Sequence, residues 1–114
     1  MHDDSNRRAG QVAVIFVSVR NDADVAGYAV AAQAMDALAA LQPGYRGVDS
    51  ARGDDGLGIT VSYWADEANA LAWRAHPEHR AIREAGRAHW YERYEVIVTE
   101  VTRDYAWAFS SRSR

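Results

Sequence analysis

The spacing of hydrophobic positions predicts a strand and then a helix in the first third of the chain. Residues 11–19 read QVAVIFVSV, a nearly continuous apolar run rich in β-branched residues. Such a run is typical of a central strand that is buried on both faces. From residue 25 to residue 41 the apolar positions repeat with a helical period and share one face, and Pro43-Gly44 ends this helix.

The remaining pattern predicts a hairpin, a helix in two pieces and a last strand. GDDG at residues 53–56 is a turn sequence, because Asp and Gly tolerate the backbone conformations that tight hairpins need. His76-Pro77 breaks the second helix, since proline suits only the first turn of the helix that follows. The predicted elements are strands at 45–52 and 57–64, helices from 66 to about 75 and from 77 to about 90 or 91, and a strand at 94–105.

The element order β-α-β-β-α-β predicts a ferredoxin-like α+β fold, in which helices cover one face of an antiparallel sheet. The first and last strands carry apolar residues on both faces, so the second face of the sheet also needs a cover. Two sheets packed face to face would supply it. We therefore predict one domain at residues 11–106 that forms a homodimer around a shared β-barrel, with frayed tails at 1–10 and 107–114.

Composition narrows the classes of function. The 114 residues are 48% hydrophobic and 25% charged, as in an ordinary globular protein. All 13 basic residues are Arg, spread along the chain and balanced by 16 acids, so we expect no nucleic-acid binding. The absence of Cys excludes thiol catalysis. No apolar run reaches the ~20 residues of a membrane span, and the first residues lack a signal-peptide pattern, which predicts a cytoplasmic protein without membrane contact.

Side chains that can bind a ligand or transfer a proton are concentrated in residues 56–91, which contain three of the four tryptophans and three of the four histidines. On the helix that starts at Pro77, His79, Arg83, Gly86 and Trp90 fall within about 60° of one another. His79 and Arg83 then lie at the border of the buried face, and Gly86 leaves space beside them. This pattern indicates a pocket for a flat organic molecule.

Several short motifs together resemble the antibiotic biosynthesis monooxygenase (ABM) domains over roughly residues 12–105. They are PGY at 43–45, GITVSYW at 58–64, DEA at 66–68, AW at 72–73, EH at 78–79, GR at 86–87 and WY at 90–91. The resemblance implies a dimeric α+β barrel whose subunits each have a cleft between helices and sheet. It also implies a cofactor-independent oxygenase that uses O₂ on an aromatic or polyketide-like metabolite, with no metal or flavin.

The resemblance and the residue types assign roles to seven residues. His79 is the candidate proton acceptor, since a reference pKa of ~6.5 suits proton transfer near neutrality. Arg83 or Arg87 is the candidate partner of the developing anion. The candidate substrate-binding residues are Tyr63, Trp73, Trp90 and Asn21. Each also has an ordinary structural interpretation, as a packed histidine, a solvated arginine, a core aromatic residue or a cap.

Other functions on the same fold stay open. Haem-degrading relatives have an Asn after the first strand, a Trp on the second helix and a His ligand about ten residues later. Asn21 and Trp73 fit that scheme, but the ligand position holds Arg83, which disfavours haem cleavage. The alternatives are a carrier or sensor of a hydrophobic ligand or haem, and a cyclase or isomerase that needs no O₂.

Overall fold

The computed structural model describes residues 7–109, and the predicted tail residues 1–6 and 110–114 lie outside this range. The elements are β1 (Val12–Arg20), α1 (Val25–Ala39), β2 (Tyr45–Arg52), β3 (Leu57–Trp64), α2 (Glu67–Ala75), α3 (Pro77–His89) and β4 (Tyr91–Glu100). This order confirms the predicted α+β fold and the division of the second helix into two pieces.

The four strands form one antiparallel sheet in the order β2-β3-β1-β4. Phe16 at the centre of β1 pairs with Thr60 of β3 and with Val96 of β4. Directly paired residues point to the same face of a sheet. These three side chains therefore share the face that the helices cover, and the residues between them along each strand point to the other face.

The last strand differs from its prediction at both ends. It begins at Tyr91, directly after α3, where Tyr91 pairs with Arg20 across a register shift. It ends at Glu100 instead of reaching residue 105. The reason is the length of β1, its neighbour in the described sheet. β1 begins at Val12, and beyond it the backbone bonds continue only as far as Val101, whose N–H donates to the carbonyl of Gln11 and whose carbonyl accepts from the Gly10 N–H.

Residues 7–10 contact the sheet through several hydrogen bonds. The Gly10 N–H donates to the carbonyl of Val101 at 2.8 Å, and the Ala9 N–H donates to the carboxylate of Asp104 at 3.0 Å. The guanidinium of Arg8 donates to the carbonyl of Arg46 and lies 3.8 Å from the centroid of the Tyr63 ring. This segment therefore joins the start of β1 to the residues that follow β4.

The core between helices and sheet is organised around Trp64. Its side chain is fully buried, and its indole N–H donates to the Ser62 hydroxyl at 3.0 Å. Its ring packs edge-on against Tyr45 and parallel to Trp73, with centroid distances of 5.7 and 6.0 Å. Ala39 and Ala70 are the buried helical residues of this cluster, and their small side chains let α1 and α2 approach the ring.

The helix starts and the tight turns follow the local sequence signals. Asp24 and Asp66 each accept a hydrogen bond from a backbone N–H in the first turn of a helix, at positions 27 and 69. Gly44 and Gly56 have φ angles of 80° and 88°, a conformation that other residues rarely adopt. Both glycines therefore fix the direction in which the chain enters β2 and β3.

Candidate active site

A cavity of about 520 Å³ lies between the helices and the sheet. This volume is within the range of pockets that bind small organic molecules. The helices contribute mostly apolar side chains to its lining: Ala31, Ala32, Met35, Ala39, Ala70, Leu71 and Ile82. The sheet contributes a mixed surface, with Val14, Phe16, Val96 and Val98 beside the hydroxyl groups of Ser50, Thr60 and Ser62. The cavity therefore has largely apolar walls, with hydroxyl groups on the sheet side and a smaller number of charged groups and the His79 imidazole on the helical side.

The break between α2 and α3 creates a pair of carbonyl acceptors at the edge of this cavity. In a continuous helix the carbonyl of Trp73 would accept from the N–H of residue 77, but Pro77 has none. The carbonyl instead accepts from the His76 N–H at 3.1 Å, and the Nδ1 atom of His79 lies 3.0 Å from the same oxygen. The His76 ring caps the new helix by accepting from the Glu78 N–H.

His79 is held by this carbonyl and by the ring of Trp73. The two rings stack at a centroid distance of 4.4 Å and an angle of 13°. Because a carbonyl only accepts, Nδ1 carries the proton of the neutral imidazole, which leaves the lone pair on Nε2. Burial lowers the pKa of His79, and the nearby charges of Arg83, His76 and Arg74 lower it further against the opposing effect of the Trp73 carbonyl. Near pH 7 the imidazole is therefore neutral, and Nε2 is able to accept a proton.

Arg83 lies one turn further along α3 and also lines the cavity. Its guanidinium donates to the carbonyl of Arg74 at 3.2 Å, the second acceptor at the end of α2. Its Nε atom is buried and has no hydrogen-bond partner among the described residues. A buried guanidinium N–H without a partner is costly, and an anionic ligand group would satisfy it.

Arg87 is exposed, although it contributes to the cavity lining. Its Nε atom donates to the hydroxyl of Tyr94 at 2.6 Å, and its guanidinium carbon lies 5.6 Å from the centroid of that ring. The pair therefore belongs to the edge of the cavity, where a ligand and solvent both have access.

A cluster of aromatic rings lines the cavity further along α3. Trp90 is eleven residues after His79, or about 16 Å along the helix axis at ~1.5 Å per residue. Its ring lies 5.9 Å from that of Tyr28, and its indole N–H donates to the carboxylate of Asp24 at 3.3 Å. Tyr91 lies 5.4 Å from Phe16 and 5.9 Å from Tyr28 in edge-to-face contacts. These rings give the second region of the cavity flat walls.

Arg52 connects Tyr28, one of these aromatic residues, to the sheet by hydrogen bonds. Its guanidinium donates to the hydroxyls of Tyr28 and Ser18, both at 2.9 Å, and to the carbonyl of Gly56. Burial raises the pKa of the Tyr91 hydroxyl, and the neighbouring hydroxyl of Tyr28 raises it further. The Tyr91 hydroxyl therefore stays protonated and is available for hydrogen bonding rather than for proton abstraction.

Five of the seven predicted site residues line the same cavity: His79, Arg83, Arg87, Trp73 and Trp90. Tyr63 does not, because the helices cover the face of β3 that carries Thr60 and Ser62, and Tyr63 points to the opposite face with Ala13 and Gly47. Tyr63 is therefore not a wall of this cavity in the single subunit, and its substrate-binding role stays a prediction. The hydroxyl-bearing side of β3 faces the helices.

Asn21 also lies outside the cavity lining. Its side-chain amide donates to the carbonyl of His89 at 3.0 Å, and its side-chain oxygen accepts from the Ala23 N–H at 3.0 Å. Asn21 therefore joins the end of β1 to the end of α3, and its substrate-binding role stays a prediction. Sequence reasoning missed Tyr28 and Tyr91 as lining residues.

Gly86 has a different function from the predicted one. It is buried in α3, and a Cβ atom at this position would lie 2.6 Å from Cε2 of Tyr91. The space beside the glycine is therefore filled by the Tyr91 ring and is not left for a ligand.

Within residues 7–109, no helix has the length and apolar character needed to cross a membrane.

Comparisons with known proteins agree with this architecture. The sequence profile of the antibiotic biosynthesis monooxygenase family matches residues 11–85, and the chain belongs to this family. It is 53% identical over 92 residues to the uncharacterised protein YqjZ of Bacillus subtilis. The matched region covers 80% of this chain and 79% of YqjZ.

Solved structures support the fold at low sequence identity. A conserved protein from Methanosarcina mazei superposes with a TM-score of 0.75 at 8% identity, covering 83% of this chain and 96% of that one. SnoaB, a cofactor-independent oxygenase from Streptomyces nogalater, superposes with a TM-score of 0.70 at 19% identity, covering 82% and 94%. These similarities concern the fold, and the chemistry rests on the residues of the cavity.

Proposed function

We propose that this protein is a cofactor-independent oxygenase that oxidises an electron-rich aromatic or polyketide-like small molecule with O₂. The observation that supports it best is the placement of His79: its Nδ1 lies 3.0 Å from the Trp73 carbonyl, its ring stacks on that of Trp73, and it lines a largely apolar cavity. Membership of the ABM family and the similarity in fold to SnoaB are consistent with this activity.

The proposed reaction begins with proton transfer. Nε2 of His79 takes a proton from an acidic C–H or O–H group of the substrate, and the electrons of that bond stay on the substrate as an enolate. Arg83, with its unpartnered Nε, stabilises the enolate oxygen, and Arg87 is the alternative donor at the cavity edge. An apolar cavity favours this step, since charge interactions are stronger where water is excluded.

The enolate then supplies the electrons that reduce oxygen. One electron passes to O₂, and the resulting radical pair combines into a peroxide anion, which takes a proton from the His79 imidazolium. For a CH₂ group between aromatic rings, loss of water from the peroxide leaves a ketone, so the balance is CH₂ + O₂ → C=O + H₂O. The substrate supplies every electron, and no cofactor enters the balance.

We also propose a homodimer, because the sheet face opposite the helices has a large apolar region. This region, here named the open face, consists of Ile15, Val17, Leu57, Ile59, Val61 and Ile97. Three of its members are exposed large hydrophobic residues in the single subunit, Leu57, Ile59 and Ile97. A contiguous apolar patch of this kind is typical of an interaction surface, and two copies would cover each other.

Anthrone is a suitable probe for the oxygenase activity, since its CH₂ group is flanked by two aromatic rings. Oxygen uptake and anthraquinone formation are measured with purified protein. We expect turnover with the wild type and a loss of roughly 10²–10⁴-fold in His79→Ala, the usual contribution of general base catalysis. His89→Ala is the matched control, because His89 is exposed at the end of the same helix. Full activity in His79→Ala would remove His79 from the mechanism.

The same measurements separate the alternative functions. Anthrone binding without oxygen uptake would favour a carrier or sensor, and product formation without oxygen would favour a cyclase or isomerase. The free Nε2 lone pair of His79 is also what a haem iron ligand requires. Titration with hemin therefore tests haem binding, and a Soret band that disappears in His79→Ala would favour it.

A further inference from the structure

The residues after β4 form a short arm with large aromatic side chains in solvent. Tyr105, Trp107 and Phe109 are 82%, 81% and 61% exposed. They alternate with two alanines, so an extended backbone would place all three rings on one side. The segment 102–109, here named the C-terminal arm, has no helix or strand assignment.

The first residues of the arm are bound to their own subunit, whereas the side chains of Tyr105 and Trp107 are mostly exposed. Two hydrogen bonds fix the start of the arm. The Val101 N–H donates to the carbonyl of Gln11, and the carboxylate of Asp104 accepts from the Ala9 N–H. The rings of Tyr105 and Trp107, at 82% and 81% exposure, therefore bury little surface against their own subunit.

We propose that the C-terminal arm docks on a second copy of this chain, with Tyr105 and Trp107 packed against the partner's open face. The proposal rests on the homodimer proposed above and adds a specific element to its interface. The chemistry of the two surfaces is complementary, because the arm presents aromatic rings and the open face presents aliphatic side chains. In a two-fold dimer, each arm makes the same contact with the other subunit.

The area involved is sufficient to matter for dimer stability. An aromatic side chain buries about 150–250 Å², so two rings from each of two arms bury roughly 600–1,000 Å² of arm surface. A stable interface buries about 1,200–2,000 Å² in total. The arms would thus supply a large share of it, and aromatic residues are frequent among the positions that dominate binding energy.

Sedimentation velocity over a dilution series tests the arm against a matched control. The arm variant is Tyr105→Ser/Trp107→Ser. The control is Val30→Ser/Leu41→Ser, whose residues are 71% and 80% exposed and lie on or just after α1, on the helical side. We expect a wild-type dimer, an unchanged dimer Kd in the control, and a Kd at least about tenfold higher in the arm variant. Circular dichroism checks that every variant is folded.

Fluorescence gives a second readout that needs no change in assembly. The emission of Trp107 is obtained as the difference between the wild type and Trp107→Phe. At concentrations where the wild type is dimeric, we expect this emission to be protected from acrylamide, and dilution to the monomer should expose it.

The outcomes separate the arm from the homodimer. A wild type that stays monomeric over the whole dilution series would overturn the homodimer and the arm contact together, while the oxygenase assay would be judged separately. A dimer with the same Kd in the arm variant and in the control would overturn only the arm contact. Full quenching of Trp107 in the dimer would also overturn it.

Discussion

The close contact between Gly86 and Tyr91 makes Gly86→Ala a sensitive test of how the cavity wall is packed. The added Cβ would lie 2.6 Å from Cε2 and 2.8 Å from Cδ2 of the Tyr91 ring. Carbon atoms in contact normally lie about 3.5–4.0 Å apart, so the ring has to move by about 1 Å. Phe16 and Tyr28 pack edge-on against the same ring and resist that movement.

Two effects of opposite sign determine the result. Alanine is about 1 kcal/mol better than glycine in a helix interior, and overpacking a filled site costs about 1–3 kcal/mol. We therefore expect Gly86→Ala to lower the free energy of unfolding by about 1 kcal/mol. In a Tyr91→Ala background the clash is absent, so the same change should raise it by about 1 kcal/mol.

Urea denaturation followed by circular dichroism measures all four proteins of this double-mutant cycle. Tryptophan fluorescence provides a second probe, because Trp64 and Trp90 are buried near the cavity. The reasoning would be refuted if Gly86→Ala stabilised the wild type by as much as it stabilises the Tyr91→Ala background. That result would mean that the Tyr91 ring does not occupy the space beside the glycine.

Two further predictions concern the neighbouring side chains. Burial lowers the pKa of His79 below its ordinary value of 6.5, so the unfolded chain binds this proton first as the pH falls. The contribution of His79 to the free energy of unfolding is therefore fully present above about pH 6.5 and declines below it. His79→Gln should remove this decline, which urea titrations from about pH 8 to 5 measure, and identical pH profiles of the two proteins would contradict it. Arg52→Met leaves the buried Ser18 hydroxyl and the Tyr28 hydroxyl without their guanidinium donor, which should cost about 1–3 kcal/mol. Adding Ser18→Ala should then cost little more, and fully additive losses would show that the two residues act independently.

Elements whose limits depend on local signals were predicted accurately. The bounds of β2 and β3 match residue by residue, because the glycine-rich turn at 53–56 and the alternating pattern after it are both encoded locally. The end of β4 was not predicted accurately, because a strand ends where its hydrogen-bonding neighbour ends. That neighbour is β1, which lies some eighty residues earlier in the sequence.

The same distinction applies to the candidate site. His79 and Arg83 were placed at the border of the buried face by the helical period alone, and the proline break explains how both are held. Tyr63 lies outside the cavity for a different reason. Alternation along a strand divides its residues between two faces, but it does not tell which face receives the helices when both are worth burying.

By itself, the sequence determined the order of the elements, the break in the second helix and the placement of an imidazole and a guanidinium on one helical stripe. These features follow from backbone geometry over a few neighbouring residues. Only the tertiary structure decided that the hydroxyl-bearing side of β3 borders the cavity and that a tyrosine ring fills the space beside Gly86. Both depend on packing between segments that are distant along the chain, where volume and shape rather than local pattern select the arrangement.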